Sequence, residues 1–199
     1  MQLHANEIYH IYNRGNNREL IFYKPENYLY FLQKIEKYLC PFCEILCYCL
    51  MPNHFHLLIY TTNTTVALSD QKTGVPMNNF AYGLKLLLSS YAKAINKQEK
   101  RQGSLFTQNT YGVQVSKDST FKDYALWCFY YIHQNPVKAG LVQNMIDWEF
   151  SSFQDFKRAS SISICNKELA NKLLYLQENE WVFEEKNDIP EKIINKLQI

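Results

Sequence analysis

The stretch from Cys43 to Tyr60 constrains the fold more than any other part of the chain. It holds two apolar runs, each long enough for a strand, separated by the turn-forming pair Pro52-Asn53. So short a connection allows only an antiparallel pairing of the two strands. We therefore predict a β-hairpin, whose first strand covers Cys43–Met51 and is central in its sheet because it is almost continuously apolar.

The second strand of this hairpin carries His54 and His56. Side chains alternate between the two faces of a strand, so both imidazoles lie on one face. Two such histidines alone are more often packing residues than a metal site, and a divalent metal needs a further ligand. The cysteines between Cys40 and Cys49 do not supply it, because their apolar run lacks a loop and predicts buried free thiols rather than a zinc site.

The order of the predicted elements up to Val115 is strand, helix, strand, strand, helix, strand. Besides the hairpin, the sequence predicts two further strands and two helices. The first strand covers Ile8–Tyr12, and the first helix runs from Pro25 to Cys40. The second helix runs from its cap Asn78 to Gly103, and the fourth strand covers Leu105–Val115. Residues 61–77 read as a loop. This order is typical of an α+β fold with a ferredoxin-like antiparallel sheet (βαββαβ), which carries both helices on one face.

A third helix is predicted to begin near Ser119-Thr120 and to dock on the remaining sheet face, because it is broadly apolar. Asn135-Pro136 should interrupt it, with Asn135 capping a separate short turn over residues 136–140. Within this helix Tyr131 and Asn135 stand four residues apart and share a face, and so do Tyr130 and Gln134. Either pair offers a nucleophile beside an oxygen ligand.

Length and composition favour one main domain, residues 1–156, followed by a helical C-terminal appendage, residues 157–199. The formal charge of +2 permits a nucleic-acid partner without requiring one. The chain has no apolar run of membrane-spanning length and no signal-peptide pattern at its start. We therefore expect a cytoplasmic protein without a membrane partner.

Two long motifs resemble the HUH-type single-tyrosine transposases of the insertion-sequence-200-like kind, in particular their REP-associated tyrosine transposase branch. The motifs are MPNHFHLL at residues 51–58 and YIHQNPVKAGLV at residues 131–142, and the opening YHIYNRG at residues 9–15 also matches. The resemblance runs from about Ile8 to Phe156 and leaves the rest of the chain unassigned.

The resemblance implies a DNA transposase or nickase that cleaves and rejoins single-stranded, hairpin-bearing DNA. Its nucleophile would be Tyr131, on a catalytic helix that lies on the sheet, and Mg²⁺ or Mn²⁺ would be held by His54, His56 and Asn135. Other branches place Gln four residues after the tyrosine, so Tyr130 with Gln134 remains a competing assignment. A 5′-phosphotyrosine intermediate with one tyrosine per site implies a homodimer.

A single strand exposes its bases for stacking, so the high aromatic content, 15% of residues, suits such a substrate. Our candidates for DNA contact are Arg14, Arg18, Lys85, Lys93, Lys100, Arg101 and Gln108. Two alternatives stay open. One is a domesticated hairpin-DNA-binding protein without strand transfer, and the other is a metal-dependent phosphodiesterase in which water attacks and Tyr131 only packs.

Overall fold

The structure is a computed structural model that describes residues 1–70, 74–116, 124–157, 163–176, 189 and 191–197. Its centre is a four-stranded antiparallel sheet in the order β2-β3-β1-β4. The strands are β1 (Ile8–Arg14), β2 (Cys43–Met51), β3 (His54–Thr61) and β4 (Tyr111–Gln114). The predicted α+β class, the hairpin of β2 and β3, and the bounds of β2 are confirmed.

One face of the sheet is covered by α1 (Pro25–Tyr38) and α3 (Asn79–Gln98). Proline is tolerated in the first turn of α1, where its missing N–H costs no hydrogen bond. The side chain of Asn78 caps α3 by accepting a hydrogen bond from the backbone of Ala81, as predicted. The described part of the predicted loop over residues 61–77 contains a short helix, α2 (Asn63–Val66), which Thr62 caps.

The other face is covered by α4 (Tyr124–Lys138), which packs on β2 and β3. A second buried core lies here and is separate from the core under α1 and α3. The predicted start of this helix at Ser119-Thr120 lies outside the described residues. The sheet is therefore a divider between two cores, and side chains of alternating strand positions enter one or the other.

The prediction that Asn135-Pro136 interrupts the helix was wrong, because α4 continues through Pro136 to Lys138. Proline inside a helix forfeits the backbone bond that its missing N–H would make, and its ring crowds the carbonyl of the residue four positions earlier. Burial of α4 on the sheet outweighs this cost, which is about 3 kcal/mol. The helix ends in a Schellman motif, with bonds from Gly140 to Val137 and from Leu141 to Pro136. The positive φ of Gly140, +68°, permits this ending.

The fourth strand is also shorter than predicted, since only Tyr111–Gln114 pairs regularly with β1. Before it, Phe106 makes an isolated bridge to Gly15. The side chain of Asn13 binds Thr107 and Thr110 instead, and these bonds compete with a regular backbone ladder. Residues 107–110 are thus held against the end of β1 by side-chain bonds and lie outside β4.

The C-terminal part contributes α5 (Phe153–Lys157), α6 (Lys167–Leu174) and α7 (Glu191–Leu197). Among its described residues, five are buried in the second core, namely Phe153, Ala170, Leu174, Ile189 and Ile193. Ser151 and Cys165 form isolated bridges to the outer edge of β2. Within the described residues, helices long and apolar enough for a membrane crossing are absent.

Candidate active site

The antiparallel pairing of β1 with β3 gathers polar side chains on the sheet face beneath α4. Tyr12 stands opposite His56, and Arg14 stands opposite His54. His10, two residues before Tyr12, points to the same face because strand side chains alternate. The histidine pair of the hairpin therefore lies beside a third imidazole from β1.

His10 and His56 are joined by a hydrogen bond of 2.9 Å between Nε2 of His10 and Nδ1 of His56. Their rings are stacked, with centroids 5.1 Å apart and planes 21° from parallel. Neither side chain is exposed to solvent. Their other ring nitrogens, Nδ1 of His10 and Nε2 of His56, are buried and have no hydrogen-bond partner among the described residues.

His54 lies at the start of β3, where the chain leaves the hairpin turn. Its Nδ1 is 2.6 Å from Oδ1 of Asn53. An amide oxygen can only accept, so this bond places the proton on Nδ1 of His54 and the lone pair on Nε2. Asn53 in turn donates from its amide nitrogen to the carbonyl oxygen of Arg18, which holds the turn against the first loop.

Tyr131 projects from α4 onto this cluster. Its ring meets the ring of His56 edge-on, with centroids 5.7 Å apart at 84°, and that of His10 at 6.1 Å and 76°. The ring of Tyr130, one residue earlier, contacts Trp127 and Phe129. Of the two tyrosines in competition, Tyr131 is therefore the one whose ring contacts the histidines of the sheet.

Asn135 follows Tyr131 by one helical turn. Its amide nitrogen donates to the backbone carbonyl of Tyr131 at 2.7 Å, which leaves its oxygen for another partner. Asn135 lies inside α4 and is not a cap, so the predicted capping role does not explain why an asparagine is present at this position. Gln134, the ligand in the competing assignment, is buried.

Burial determines the charge state of the cluster. It lowers the pKa of His10 to about 3 and, together with the positive charge of Arg14, the pKa of His54 to about 4. Burial and the neighbouring His10 and His54 hold the pKa of His56 well below its usual value. All three imidazoles are therefore neutral near pH 7, the state in which a ring nitrogen can share a lone pair with a cation.

Burial also raises the pKa of Tyr131 to about 12, with smaller contributions from Cys128 and Tyr12. The hydroxyl group is therefore protonated near pH 7. An attack by its oxygen on phosphorus would have to release this proton.

These donors fit a divalent metal. Nε2 of His56 is a buried nitrogen without a partner, Nε2 of His54 carries a lone pair, and Asn135 has an amide oxygen left. Across the part of the chain that the structure describes, no group of three or more His, Cys, Asp or Glu side chains is arranged to hold a metal. A site here would accordingly need the amide oxygen as its third protein ligand.

Several of the predicted DNA-contact residues lie at the same end of the sheet as His54. Arg14 ends β1, Arg18 is exposed in the following 3₁₀ turn, and the loop after α3 packs against this turn through a backbone bond from Asn16 to Leu105. Arg101 binds Glu19 of the first loop at 2.8 Å. Lys100 and Gln108 of the same region are exposed.

The two lysines of α3 are placed elsewhere. Lys85 and Lys93 are exposed on a helix that covers the opposite face of the sheet. The fold therefore does not bring them together with Tyr131. If they touch DNA, they do so at a separate surface.

Sequence reasoning missed His10 and Tyr12. The ring of Tyr12 lies 4.9 Å from that of His10 and 6.2 Å from that of His56, so both residues belong to the cluster. Two features together identify these residues: their two-residue spacing in β1, which puts both side chains on one face, and the pairing of β1 with β3. The pairing requires the register, which the sequence pattern alone does not supply.

No family model matches the chain, and no curated protein matches it by sequence. Among solved structures, the chain is similar to a REP-associated tyrosine transposase bound to a REP hairpin. The TM-score is 0.58 and the identity 17%, over 82% of this chain and 87% of that chain. At this identity the similarity shows a shared fold, and any chemistry must be argued from the side chains.

Proposed function

We propose that this protein is a metal-dependent enzyme that cuts and rejoins single-stranded, hairpin-bearing DNA, with Tyr131 as nucleophile. The observation that carries the proposal is the edge-on contact of Tyr131 with His56, which brings a hydroxyl-bearing ring from α4 to a histidine of β3. The shared fold with a tyrosine transposase bound to a REP hairpin supports the substrate class. The strand order supports the ferredoxin-like arrangement that such an enzyme would use.

In the proposed reaction the phenolic oxygen of Tyr131 forms a bond to the scissile phosphorus. The bond from phosphorus to the 3′-oxygen breaks, the tyrosine proton is released, and the 3′-oxygen takes up a proton to become a hydroxyl group. The product is a 5′-phosphotyrosine, which keeps the bond energy for a second strand end to reverse the step without ATP. Burial of Tyr131 restricts access of water to that linkage.

His54, His56 and Asn135 would hold the metal. A bound Mg²⁺ or Mn²⁺ would supply positive charge that polarises the phosphate oxygens. The neutral state of both imidazoles and the orientation of His54 by Asn53 suit them to this task. Arg14, Arg18, Lys100, Arg101 and Gln108 would contact the DNA backbone near this end of the sheet, and Lys85 and Lys93 would contact it elsewhere.

A covalent adduct is the direct test. Purified protein is incubated with Mn²⁺ and a pool of single-stranded DNA hairpins that have randomised stems and flanks, and the products are separated in denaturant. Wild-type protein should form a denaturant-resistant protein–DNA band. Tyr131→Phe should lose the band, and Tyr130→Phe should keep it. A band that persists in Tyr131→Phe and disappears in Tyr130→Phe would transfer the role to Tyr130.

The remaining outcomes separate the alternative functions. Retention of hairpins from the pool with no adduct in Mg²⁺ or Mn²⁺ would indicate a binding protein that does not cut. Cleavage that survives both tyrosine variants would indicate attack by water. Exchange of two DNA ends requires two tyrosines, so the active enzyme should sediment as a homodimer in the presence of a captured hairpin.

A further inference from the structure

The hydrogen bond between His10 and His56 has two possible directions, and they give His56 different chemistry. If Nδ1–H of His56 donates, Nε2 of His56 keeps a lone pair and Nδ1 of His10 carries a proton. If Nε2–H of His10 donates, Nε2 of His56 carries the proton and has no lone pair to offer. The heavy-atom distance of 2.9 Å fits both directions.

Both directions leave one donor and one acceptor buried without a protein partner, since Nδ1 of His10 and Nε2 of His56 have none among the described residues. Such groups cost free energy unless something satisfies them. Only the first direction places a lone pair on His56 that a cation can satisfy. In the second direction a buried N–H group faces the position where the proposed function needs an electron-pair donor.

The neighbouring histidine, His54, also makes a hydrogen bond through Nδ1, and the direction of that bond is fixed. Oδ1 of Asn53 accepts from Nδ1 of His54, so the lone pair of His54 is on Nε2. His54 and His56 share a strand face, with ring centroids 5.0 Å apart. Two imidazoles that bind one cation through equivalent atoms would both carry the proton on Nδ1.

We propose that His10 is a positioning residue that accepts a hydrogen bond from Nδ1–H of His56 and thereby keeps the lone pair of His56 on Nε2. His10 would act through His56 without touching substrate or metal. The inference rests on the proposed function, because the position of the lone pair matters only if a cation binds to His56. It assigns a role to a buried histidine that the proposed reaction does not otherwise use.

The first test needs no substitution. Nitrogen-15 NMR of the histidine rings in the metal-free wild-type protein reports which nitrogen of each ring carries the proton. His56 should be protonated on Nδ1, like His54, and His10 on Nδ1 as well. Protonation of His56 on Nε2 would overturn the inference.

The second test replaces the acceptor. His10→Gln can place an amide oxygen near the position of Nε2, His10→Asn reaches only to the position of Nδ1, and His10→Leu keeps volume but removes the acceptor. Groups that orient a metal-binding histidine typically contribute about 10–100-fold in metal affinity. Mn²⁺ affinity, measured from the electron paramagnetic resonance signal of free Mn²⁺, should therefore fall by this factor in His10→Leu and His10→Asn and recover to within a few-fold in His10→Gln.

The two proposals can fail separately. Equal Mn²⁺ affinity in wild type and a folded His10→Leu, or an affinity in His10→Gln as low as in His10→Leu, would overturn the role of His10. Absence of Mn²⁺ binding by wild-type protein, combined with absence of the DNA adduct, would overturn the proposed function instead. If His10→Leu does not fold, the ring-nitrogen measurement on wild type still decides the inference.

Discussion

The ring of Tyr131 meets that of His56 edge-on at a centroid separation of 5.7 Å, although the two residues come from different layers of the fold. Edge-on aromatic pairs stabilise beyond the area that they bury. This contact involves the ring, whereas the proposed chemistry involves only the hydroxyl group. The two roles can therefore be separated by a substitution that removes a single oxygen atom.

Tyr131→Phe should leave the fold intact. It keeps the edge-on ring and should change the free energy of unfolding by no more than about 1 kcal/mol, the net size of one hydrogen bond. Urea unfolding checks this, with Tyr131→Ala as the comparison, because removing the ring leaves a cavity and should cost about 3–5 kcal/mol. If Tyr131→Phe were as unstable as Tyr131→Ala, loss of the DNA adduct in that variant would say nothing about the nucleophile.

Divalent metal should stabilise the protein through the histidines of β3. A ligand bound to the native state at a hundred times its dissociation constant contributes about 2.7 kcal/mol, so Mn²⁺ should raise the midpoint of thermal unfolding. His54→Ala and His56→Ala should abolish this shift, and chelation should reverse it. His4→Ala is the matched control because His4 is exposed and outside the cluster. An equal shift in all three variants would show that the metal binds elsewhere.

Gly83→Ala should destabilise the protein even though alanine is the better helix former. In an exposed helix interior this change stabilises by about 1 kcal/mol. At Gly83 of α3, however, a Cβ atom would collide with the carbonyl oxygen of Tyr38 at the end of α1. We expect a net loss of about 1–3 kcal/mol, as for other overpacked sites. Ser89→Ala, on an exposed face of α3, should change stability little by the same urea titration.

Ser152→Ala should loosen the anchoring of α4. The hydroxyl of Ser152 bonds His133 of α4 at 2.9 Å and both backbone groups of Tyr48 in β2. Its removal leaves these buried groups without that partner, which should cost about 1–3 kcal/mol. Hydrogen exchange in α4 should accelerate more than in β1. Ser90→Ala is the control, and a cost no greater than in Ser90→Ala would contradict the anchoring role.

Alkali should destabilise the fold through its buried tyrosines. Burial, and to a smaller extent Cys49, raises the pKa of Tyr28 to about 12, above its ordinary value of 10.0. The fold favours the neutral phenol of Tyr28. Its contribution to the free energy of unfolding is therefore fully present below pH 10 and is lost as the pH rises from about 10 to 12. Unfolding free energy measured across this range should fall less steeply in Tyr28→Phe. A decline as steep as in wild type would show that Tyr28 does not contribute.

The hairpin and the helices that cover its apolar face follow from local sequence signals. The turn at Pro52-Asn53 fixed the antiparallel pairing, and Asn78 marked the start of α3 because its side chain caps the first turn. Predictions failed where tertiary packing overrode such signals. Pro136 reads as a helix breaker, yet α4 passes through it because the helix is buried on the sheet.

Part of the candidate site could also be predicted, because it depends on local sequence signals. His54 and His56 share a face by the geometry of a single strand, and the motif resemblance singled out Tyr131. His10 required knowledge of which strands are neighbours and in which register, and that information is not local. The choice between Tyr131 and Tyr130 depends on the rotation of α4 about its axis, which only the packed structure provides.

Anchoring of α4 by Ser152 has a consequence for the timing of the proposed chemistry. His10, His54 and His56 belong wholly to the sheet, whereas Tyr131 arrives on a separately docked helix. Parts of a protein open at a lower free energy than the whole. A partial opening of α4 would withdraw the tyrosine while the strands stay paired, so in the proposed reaction the docking of one helix would set how long a strand end is held beside the histidines.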